Sequence, residues 1–380
     1  MKPHLSVRAS QHGTLSEFSR LVSASRSSAF DLTISNPASV GLGWDAQALS
    51  RIAASVDASR YLPEAMGPAE ARAAVCEYLG LAKHAASRTM LTASTSEAYA
   101  FLFKLLADAG DEILVPSPSY PLFDYLAGYE GLRVVPYPLF FDGLWHIDLA
   151  ELRARRTAKT RAIVVVSPNN PTGSLLSRDS FEAIDAMGLP VLADEVFREY
   201  LLEPRSDACL SALDEQPRSP WFVMGGLSKT AALPQWKLAW TVLRGGGDQA
   251  ELWDALETIA DTYLSVSAVA AHGLAGVLAS VPPVQAALRA RLRQNLELID
   301  AALMHSSASR RRVEGGWSCL LRMPATRDDE AWATLLLREQ KLLTQPGYFY
   351  ELGPEPHLVL SLLTPPDLME QGLARIQAVL

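Results

Sequence analysis

The sequence predicts an α/β fold: a large domain built on a mostly parallel seven-stranded sheet flanked by helices, followed by a smaller α+β domain. Three observations point there. Short apolar runs alternate with helical patterns from Asp111 to Leu243, the order of βαβ units. Two of these runs, Arg161-Ala-Ile-Val-Val-Val-Ser167 and Leu189-Pro-Val-Leu-Ala193, show no polar alternation, as parallel strands buried on both faces require. From Gln249 the character changes to helices, and after Gly315-Gly316 short strands alternate with helices. The expected boundaries are an N-terminal arm over 1–45 that belongs with the small domain, a large domain over 46–265 and a small domain over 266–380.

At 380 residues and 49% hydrophobic, the chain is long enough to bury two cores. A net charge of -8 leaves no electrostatic footprint for nucleic acid, and Arg310-Arg311-Arg312 reads as a solvated helix end. Cys76, Cys209 and Cys319 show no CxxC spacing, which fits buried thiols in a reducing compartment and no disulfide or zinc framework. The seven histidines never form HxxxH or HxH, so metal catalysis has no support. No stretch of about 18 uninterrupted apolar residues occurs, and the N-terminal segment lacks an apolar core. A cytoplasmic location is expected, with neither membrane nor nucleic acid as partner.

Residues 1–30 are polar and Ser-rich, with Leu15, Phe18, Leu21 and Val22 at helical spacing. Asp31 to Pro37 is a short extended piece that includes Asn36. Gly41-Leu-Gly43-Trp-Asp-Ala46 matches the dinucleotide pattern GxGxxA, but Pro37 and Ser39 interrupt the strand that pattern needs. A loop feeding a helix over about 45–58 is the simpler reading. Tyr61 to Pro68 is a turn, followed by a helix with Ala71, Ala74, Val75, Tyr78 and Leu79 on one face, ended by Gly80.

Ser94-Thr95-Ser96 stands ahead of the apolar helix Tyr99 to Leu106. Ser94 or Thr95 can cap it, and that end is either an ordinary N-cap or an anion seat. Asp111 to Val115 is a strand closed by Pro116-Ser-Pro-Ser-Tyr120-Pro121, where Tyr120 either packs or offers a platform for a flat ring. A strand over Leu132 to Tyr137 and a helix over Asp148 to Arg153 follow. The 161–167 strand ends in Pro168-Asn-Asn170-Pro-Thr-Gly173, at the carboxyl end where parallel sheets put ligands. The 189–193 strand ends in Asp194-Glu195, a carboxylate that either caps a loop or holds a cation.

Trp221 to Met224 is the next strand, and Lys229 follows it in Gly225-Gly-Leu-Ser228-Lys229-Thr230. A lysine ending a buried strand among small residues can be desolvated enough to lose its proton and attack a carbonyl. An isolated Ser-Lys is equally a solvated loop pair. The strand Lys237 to Leu243 closes with Gly245-Gly246-Gly247. Helices then cover about 249–263, 267–279 and 282–305, and the tail alternates strands (317–322, 342–344, 358–362) with helices near 328–339 and 366–379.

Together these stretches resemble the fold-type I pyridoxal-phosphate enzymes, specifically the class I/II aminotransferase family, from about Asp31 to the C-terminus. The carriers are Tyr61 with Gly67 and Arg72, Thr95-Ser96-Glu97-Ala98, Pro118-Ser-Tyr120, Ser167-Pro-Asn-Asn170-Pro-Thr-Gly173, Asp194-Glu-Val-Phe197, and Leu227-Ser228-Lys229-Thr230 with Lys237. The resemblance implies pyridoxal 5'-phosphate as cofactor, in Schiff-base linkage to Lys229, which then shuttles the proton. It implies Asp194 on the protonated ring nitrogen, Asn170 on the ring oxygen and Tyr120 stacked on the ring. Thr95, Ser96, Ser228 and Lys237 match phosphate-binding positions. Tyr61 matches a residue that reaches the neighbouring subunit's phosphate, implying a homodimer with shared active sites.

Four positions depart from the family pattern. Phe197 stands where many relatives have a tyrosine, Lys237 where an arginine is usual, and Gly226 where a serine is frequent. The usual C-terminal Arg-x-Ser, which reads a substrate α-carboxylate, is here Val359-Leu360-Ser361. Either Arg322 takes over, or the substrate carries no α-carboxylate there; Arg322 is equally a surface strand residue. Asn36, Arg322 and Val359 are thus the candidate substrate residues. The implied function is an aminotransferase moving an amino group between an amino acid or amine and a keto acid or aldehyde. Two alternatives are a lyase, decarboxylase or cyclase on the same scaffold, and a non-catalytic module that binds the cofactor. Acidic charge and the lack of a helix-turn-helix pattern ahead of Asp31 count against the last.

Overall fold

A computed structural model describes residues 4–10, 16–57, 63–247 and 249–380. Strand β1 (Phe30–Asp31) belongs to the arm. The main sheet is built from β2 (Thr89–Thr92), β3 (Glu112–Ser117), β4 (Arg133–Phe141), β5 (Trp145–Ile147), β6 (Thr160–Val166), β7 (Val191–Asp194), β8 (Trp221–Gly226) and β9 (Ala239–Arg244). They lie in the order β2-β9-β8-β7-β6-β3-β4-β5. β8, β7, β6, β3 and β4 are mutually parallel, whereas β9 runs antiparallel to both β2 and β8.

That one reversed strand matters for the site. β2, β6, β7 and β8 end at the same edge of the sheet as β9 begins. Ser94, Asn170, Asp194, Lys229 and Lys237, spread over more than a hundred residues of sequence, are therefore delivered to one edge. Parallel strands with helical crossovers place their carboxyl-end loops in this way.

The sheet has eight strands where seven were expected. The added one is β5, antiparallel to the far end of β4 with Phe141 opposite Trp145. Pro136 and Pro138 obscured how far β4 runs; they fall where β4 has only β3 beside it, an edge situation that tolerates proline. β2 is fully buried but only four residues long, too short for its own pattern to show. The Gly41–Ala46 stretch follows no strand: Pro37–Val40 is a 3-10 turn and Asp45 caps the helix Ala46–Ala54.

Two apolar layers cover the sheet. One contains Val75, Ile163, Val165, Trp221, Val223 and Trp240, the other Tyr99, Leu102, Val164, Leu192, Phe222 and Met224. Successive residues of β6 and of β8 point into opposite layers, which is why these runs lack polar alternation. In helix Thr95–Leu106 the buried Leu102 and Phe103 each contribute roughly 1.5–3 kcal/mol by burial.

The second sheet, β10 (Ser309–Arg310), β11 (Ser318–Arg322), β13 (Gln345–Pro346) and β14 (His357–Ser361), is antiparallel in the order β10-β11-β14-β13. β1 pairs in parallel with β12 (Leu342–Leu343), so the arm joins this half of the molecule. The helix Pro282–Leu303 buries Leu288, Leu292 and Ile299 in the same cluster as Leu321, Leu358 and Leu360. The preceding helix, Ala268–Ser280, instead buries Ala270, Leu274 and Val277 with Trp240 in a main-sheet layer, although a boundary at 265/266 would assign it to the small domain.

Contact between the halves is close at Gly173, whose carbonyl accepts the Gly315 N–H at 2.9 Å. Gly173 has φ +69 and an added Cβ would sit 2.7 Å from the Gly315 carbonyl oxygen; Gly80 shares that φ but faces open space. Gly173→Ala is expected to lower the thermal midpoint by the equivalent of roughly 1–3 kcal/mol and by more than Gly80→Ala, in parallel melting curves. Equal shifts would show that the Gly173–Gly315 contact adds nothing to backbone strain.

Candidate active site

β8 ends in two glycines because it lies against β9. A Cβ on Gly225 would meet the Trp240 indole nitrogen at 2.6 Å, and one on Gly226 would stand 3.0 Å from the Ala239 Cβ. This packing accounts for glycine at 226. The chain then turns through the short helix Leu227–Thr230, and the Tyr200 hydroxyl donates to the Lys229 carbonyl at 2.7 Å.

The Lys229 Nζ faces two aromatic rings, 4.9 Å from the centroid of Trp317 and 5.6 Å from that of Phe197. It has no hydrogen-bond partner among the described residues. Burial pulls its pKa down, and the Asp194 charge opposes that pull. Asp194 sits at the end of β7, its Oδ2 accepting from the Tyr99 hydroxyl at 3.1 Å and its Oδ1 from the Val196 N–H at 3.2 Å. Burial pushes the Asp194 carboxyl up to about 6, restrained by those two hydrogen bonds and by Lys229.

At the head of helix Thr95–Leu106, the Ser94 hydroxyl accepts the Glu97 N–H at 3.2 Å. Ser94 is therefore the cap, and the Thr95 and Ser96 N–H groups have no acceptor among the described residues. Free first-turn amides and the helix dipole make this a seat for an anion. Glu97 is occupied by the Ala93 N–H and the Ser265 hydroxyl. The Ser228 hydroxyl has no hydrogen-bond partner among the described residues, and Lys237, exposed and in a left-handed conformation at φ 52, precedes β9.

The remaining candidates divide. Asn170 accepts from the Ser318 hydroxyl of β11 at 3.1 Å, which ties the second sheet to the loop after β6. Tyr120 follows β3 and is 48% exposed, near enough to Tyr350 to add to the upward push that burial gives that hydroxyl's pKa. Tyr61 lies outside the described residues. Asn36 is exposed and accepts the Ala38 N–H at 3.2 Å as cap of the 37–40 turn.

Arg322 does not reach the site. It is exposed, opposite His357 and bonded to the Ser309 hydroxyl at 3.4 Å, four residues beyond Ser318 and so about 13 Å further along the strand. Val359 is buried between Leu320 and Gln345, in a cluster with Trp145, Tyr350 and Leu352. The nearby guanidinium groups are committed: Arg311 to Glu355 and His357, Arg205 to Asp207.

Four residues at the site carried no signal in the sequence: Tyr99, Tyr200, Trp317 and Ser318. Each acts through a partner far along the chain. Only the Gly315-Gly316 pair ahead of Trp317 marked that a close approach occurs there.

The model of the family described as aminotransferase class I and II matches residues 45–376. The chain belongs to that family, whose members are pyridoxal-phosphate-dependent enzymes that transfer amino groups. It is 27% identical over 306 residues to tyrosine aminotransferase of Bos taurus, covering 77% of this chain and 67% of that one. It is 28% identical over 257 residues to the glutamate-pyruvate aminotransferase AlaA of Escherichia coli, covering 64% and 62%. In fold it resembles an alanine aminotransferase from Pyrococcus furiosus, with a TM-score of 0.87 at 22% identity over 99% of both chains. A Thermus thermophilus aspartate aminotransferase variant gives 0.84 at 21% identity over the whole of both chains. Nothing in these comparisons supports the lyase, decarboxylase, cyclase or non-catalytic alternatives.

The residues present fit pyridoxal phosphate. A half-buried amine and a half-buried carboxylate, the amine without a hydrogen-bond partner among the described residues, and a helix end with free N–H groups meet the needs of its carbonyl, ring nitrogen and phosphate.

Holding Asp194 buried has a cost with a definite sign. Its pKa is raised above the unfolded value of 3.8, so the folded state binds the proton more tightly and stability falls as pH rises from about 4 through 6. Asp194→Asn in the cofactor-free protein is therefore expected to be more stable than the wild type at pH 8, by roughly 1–3 kcal/mol. The gap should close towards pH 4. Denaturant melts at both pH values measure it, and a gap that does not change with pH would contradict the buried-carboxylate assignment.

Proposed function

We propose that Lys229 is the attachment and proton-transfer residue of an aminotransferase whose amino donor carries no carboxylate on the side facing Val359. The observation that supports it most directly is the half-buried Lys229 amine, without a hydrogen-bond partner among the described residues, on the same sheet edge as Asp194. When bound, the cofactor supplies an electron-accepting ring that stabilises negative charge developing at the substrate carbon.

In this reading Asp194, fixed by Tyr99 and the Val196 N–H, holds the ring nitrogen protonated. Asn170 donates through its amide to the ring oxygen, since its Oδ1 is already taken by Ser318. Tyr120 would offer its ring to the cofactor ring, and Thr95, Ser96, Ser228 and Lys237 would hold the phosphate. The Lys229 amine, neutral once deprotonated, takes and returns the proton at the substrate carbon. Phe197 brings no hydroxyl to the ring oxygen.

The substrate part of the proposal follows from position. Arg322 is remote, and Val359 stands in a wall with Leu320 and Tyr350 in which the adjacent guanidinium groups are already paired. A carboxylate brought against that wall would lose its hydration without gaining a partner, at a cost of several kcal/mol. An amine, or an amino acid whose reacting amino group is distant from its carboxylate, avoids that cost.

The proposal also includes a homodimer, supported by the exposed Tyr129, Tyr263 and Leu264 and by the Tyr61 position, and a cytoplasmic location. No single helix among the described residues is long and apolar enough to cross a membrane. The packing of helix Ala268–Ser280 favours a division of the chain near Val281.

Two measurements test it. Borohydride treatment of the cofactor-loaded protein should add the cofactor's mass to the peptide containing Lys229, and Lys229→Ala should abolish the addition. Label on a different lysine would overturn the assignment. Matched pairs such as phenylalanine and phenethylamine, each assayed with pyruvate, should show kcat/KM higher for the amine. A preference of about a hundredfold for the α-amino acid would refute the substrate class.

A further inference from the structure

Resting on the reading that Lys229 is the reactive lysine, we propose that Trp317, together with Phe197, is a positioning residue that clamps the Lys229 side-chain nitrogen between aromatic faces. Both rings lie within the roughly 6 Å at which a ring face attracts a cation, at 4.9 and 5.6 Å. The rings brace each other edge to face, 5.4 Å apart at 65°. Trp317 also meets Tyr200 edge to face at 5.2 Å, and Tyr200 holds the Lys229 carbonyl through its hydroxyl. One connected unit thus fixes the lysine at both ends, its backbone by a hydrogen bond and its amine by ring faces.

The backbone around Trp317 is held just as firmly. The Leu362 N–H donates to the Trp317 carbonyl at 2.8 Å, and the Gly316 N–H to the Tyr200 carbonyl at 2.9 Å. Trp317 is only 4% exposed, yet its Nε1 is buried without a hydrogen-bond partner among the described residues. Leaving that N–H unpaired is a penalty that phenylalanine would not incur. Tryptophan offers the ring face with the strongest attraction for a cation, a gain to set against the penalty.

The clamp answers an electrostatic need. Among the described residues, the carboxylate that acts on the amine is Asp194, and it is engaged by Tyr99 and the Val196 N–H. The neighbouring Glu195 is turned away, to the Ser211 hydroxyl and the Ala212 N–H, and the Tyr200 hydroxyl is spent on the carbonyl. With no hydrogen-bond acceptor on the amine, the two ring faces and Asp194 are what favour its protonated form against burial. They also keep it pointing in one direction while it holds or releases a proton.

The test uses the cofactor-free protein, so that it does not depend on turnover. The pH dependence of Lys229 acetylation, followed by mass spectrometry of the peptide, gives the midpoint of its ionisation. Trp317→Met is expected to lower that midpoint by about one pH unit, a tenfold change, while Trp317→Phe, which restores a ring, recovers most of the shift. Phe197→Met should lower it in the same direction and provides the answer should Trp317→Met not fold. A midpoint unchanged or raised in the methionine variants would overturn the clamp. Borohydride attachment of the cofactor to Lys229 in the wild type is read separately: the clamp can fail with attachment intact, and loss of attachment would instead strike at the proposed function.

Discussion

The structure depends on keeping an amine and a carboxylate, Lys229 and Asp194, half-buried on one sheet edge without pairing them directly. Each group alone would be costly to bury in its charged form. Here the Asp194 carboxylate is satisfied by Tyr99 and a backbone N–H, and the Lys229 amine is left facing two rings. A direct ion pair would have locked the lysine in its charged state and out of reach of a carbonyl. Separation lets burial pull the Lys229 pKa down while the Asp194 carboxyl is held at about 6.

The sheet serves this arrangement through strand direction and small residues. β7 and β8 run side by side and deliver Asp194 and Lys229 from adjacent strand ends. The reversed β9 brings Lys237 to the same edge, and the helix after β2 contributes its N-terminal amides. Glycine at 225 and 226 is what allows β8 to approach the side chains of β9 so closely. The second sheet meets this edge through Trp317 and Ser318, one against the lysine and the next bonded to Asn170. Movement between the two halves would therefore be felt at the Lys229 amine.

Much of this was legible in the sequence because it is local. The unbroken apolar runs of β6 and β8, the hydroxyl cluster ahead of the 95–106 helix and the residues just after each strand carry their meaning within a few positions. What escaped is what depends on long-range register. Whether Arg322 takes over from the missing arginine at Val359 stayed open until the pairing of β11 with β14 placed Arg322 at the far end of its strand and Val359 in an apolar wall. Tyr99 and Trp317 carried no functional signal, because nothing nearby in sequence reveals a carboxylate or an amine at their side-chain tips. The eighth strand hid behind Pro136 and Pro138, and helix 268–280 looked like the start of a new unit although it covers the main sheet.

A crystal structure of the protein loaded with pyridoxal phosphate would test the central claim most directly. The expected result is density continuous from the Lys229 Nζ to the cofactor, with the ring nitrogen at Asp194 and the phosphate at the N–H groups of Thr95 and Ser96. A cofactor joined to another lysine, or a phosphate bound away from that helix end, would contradict it.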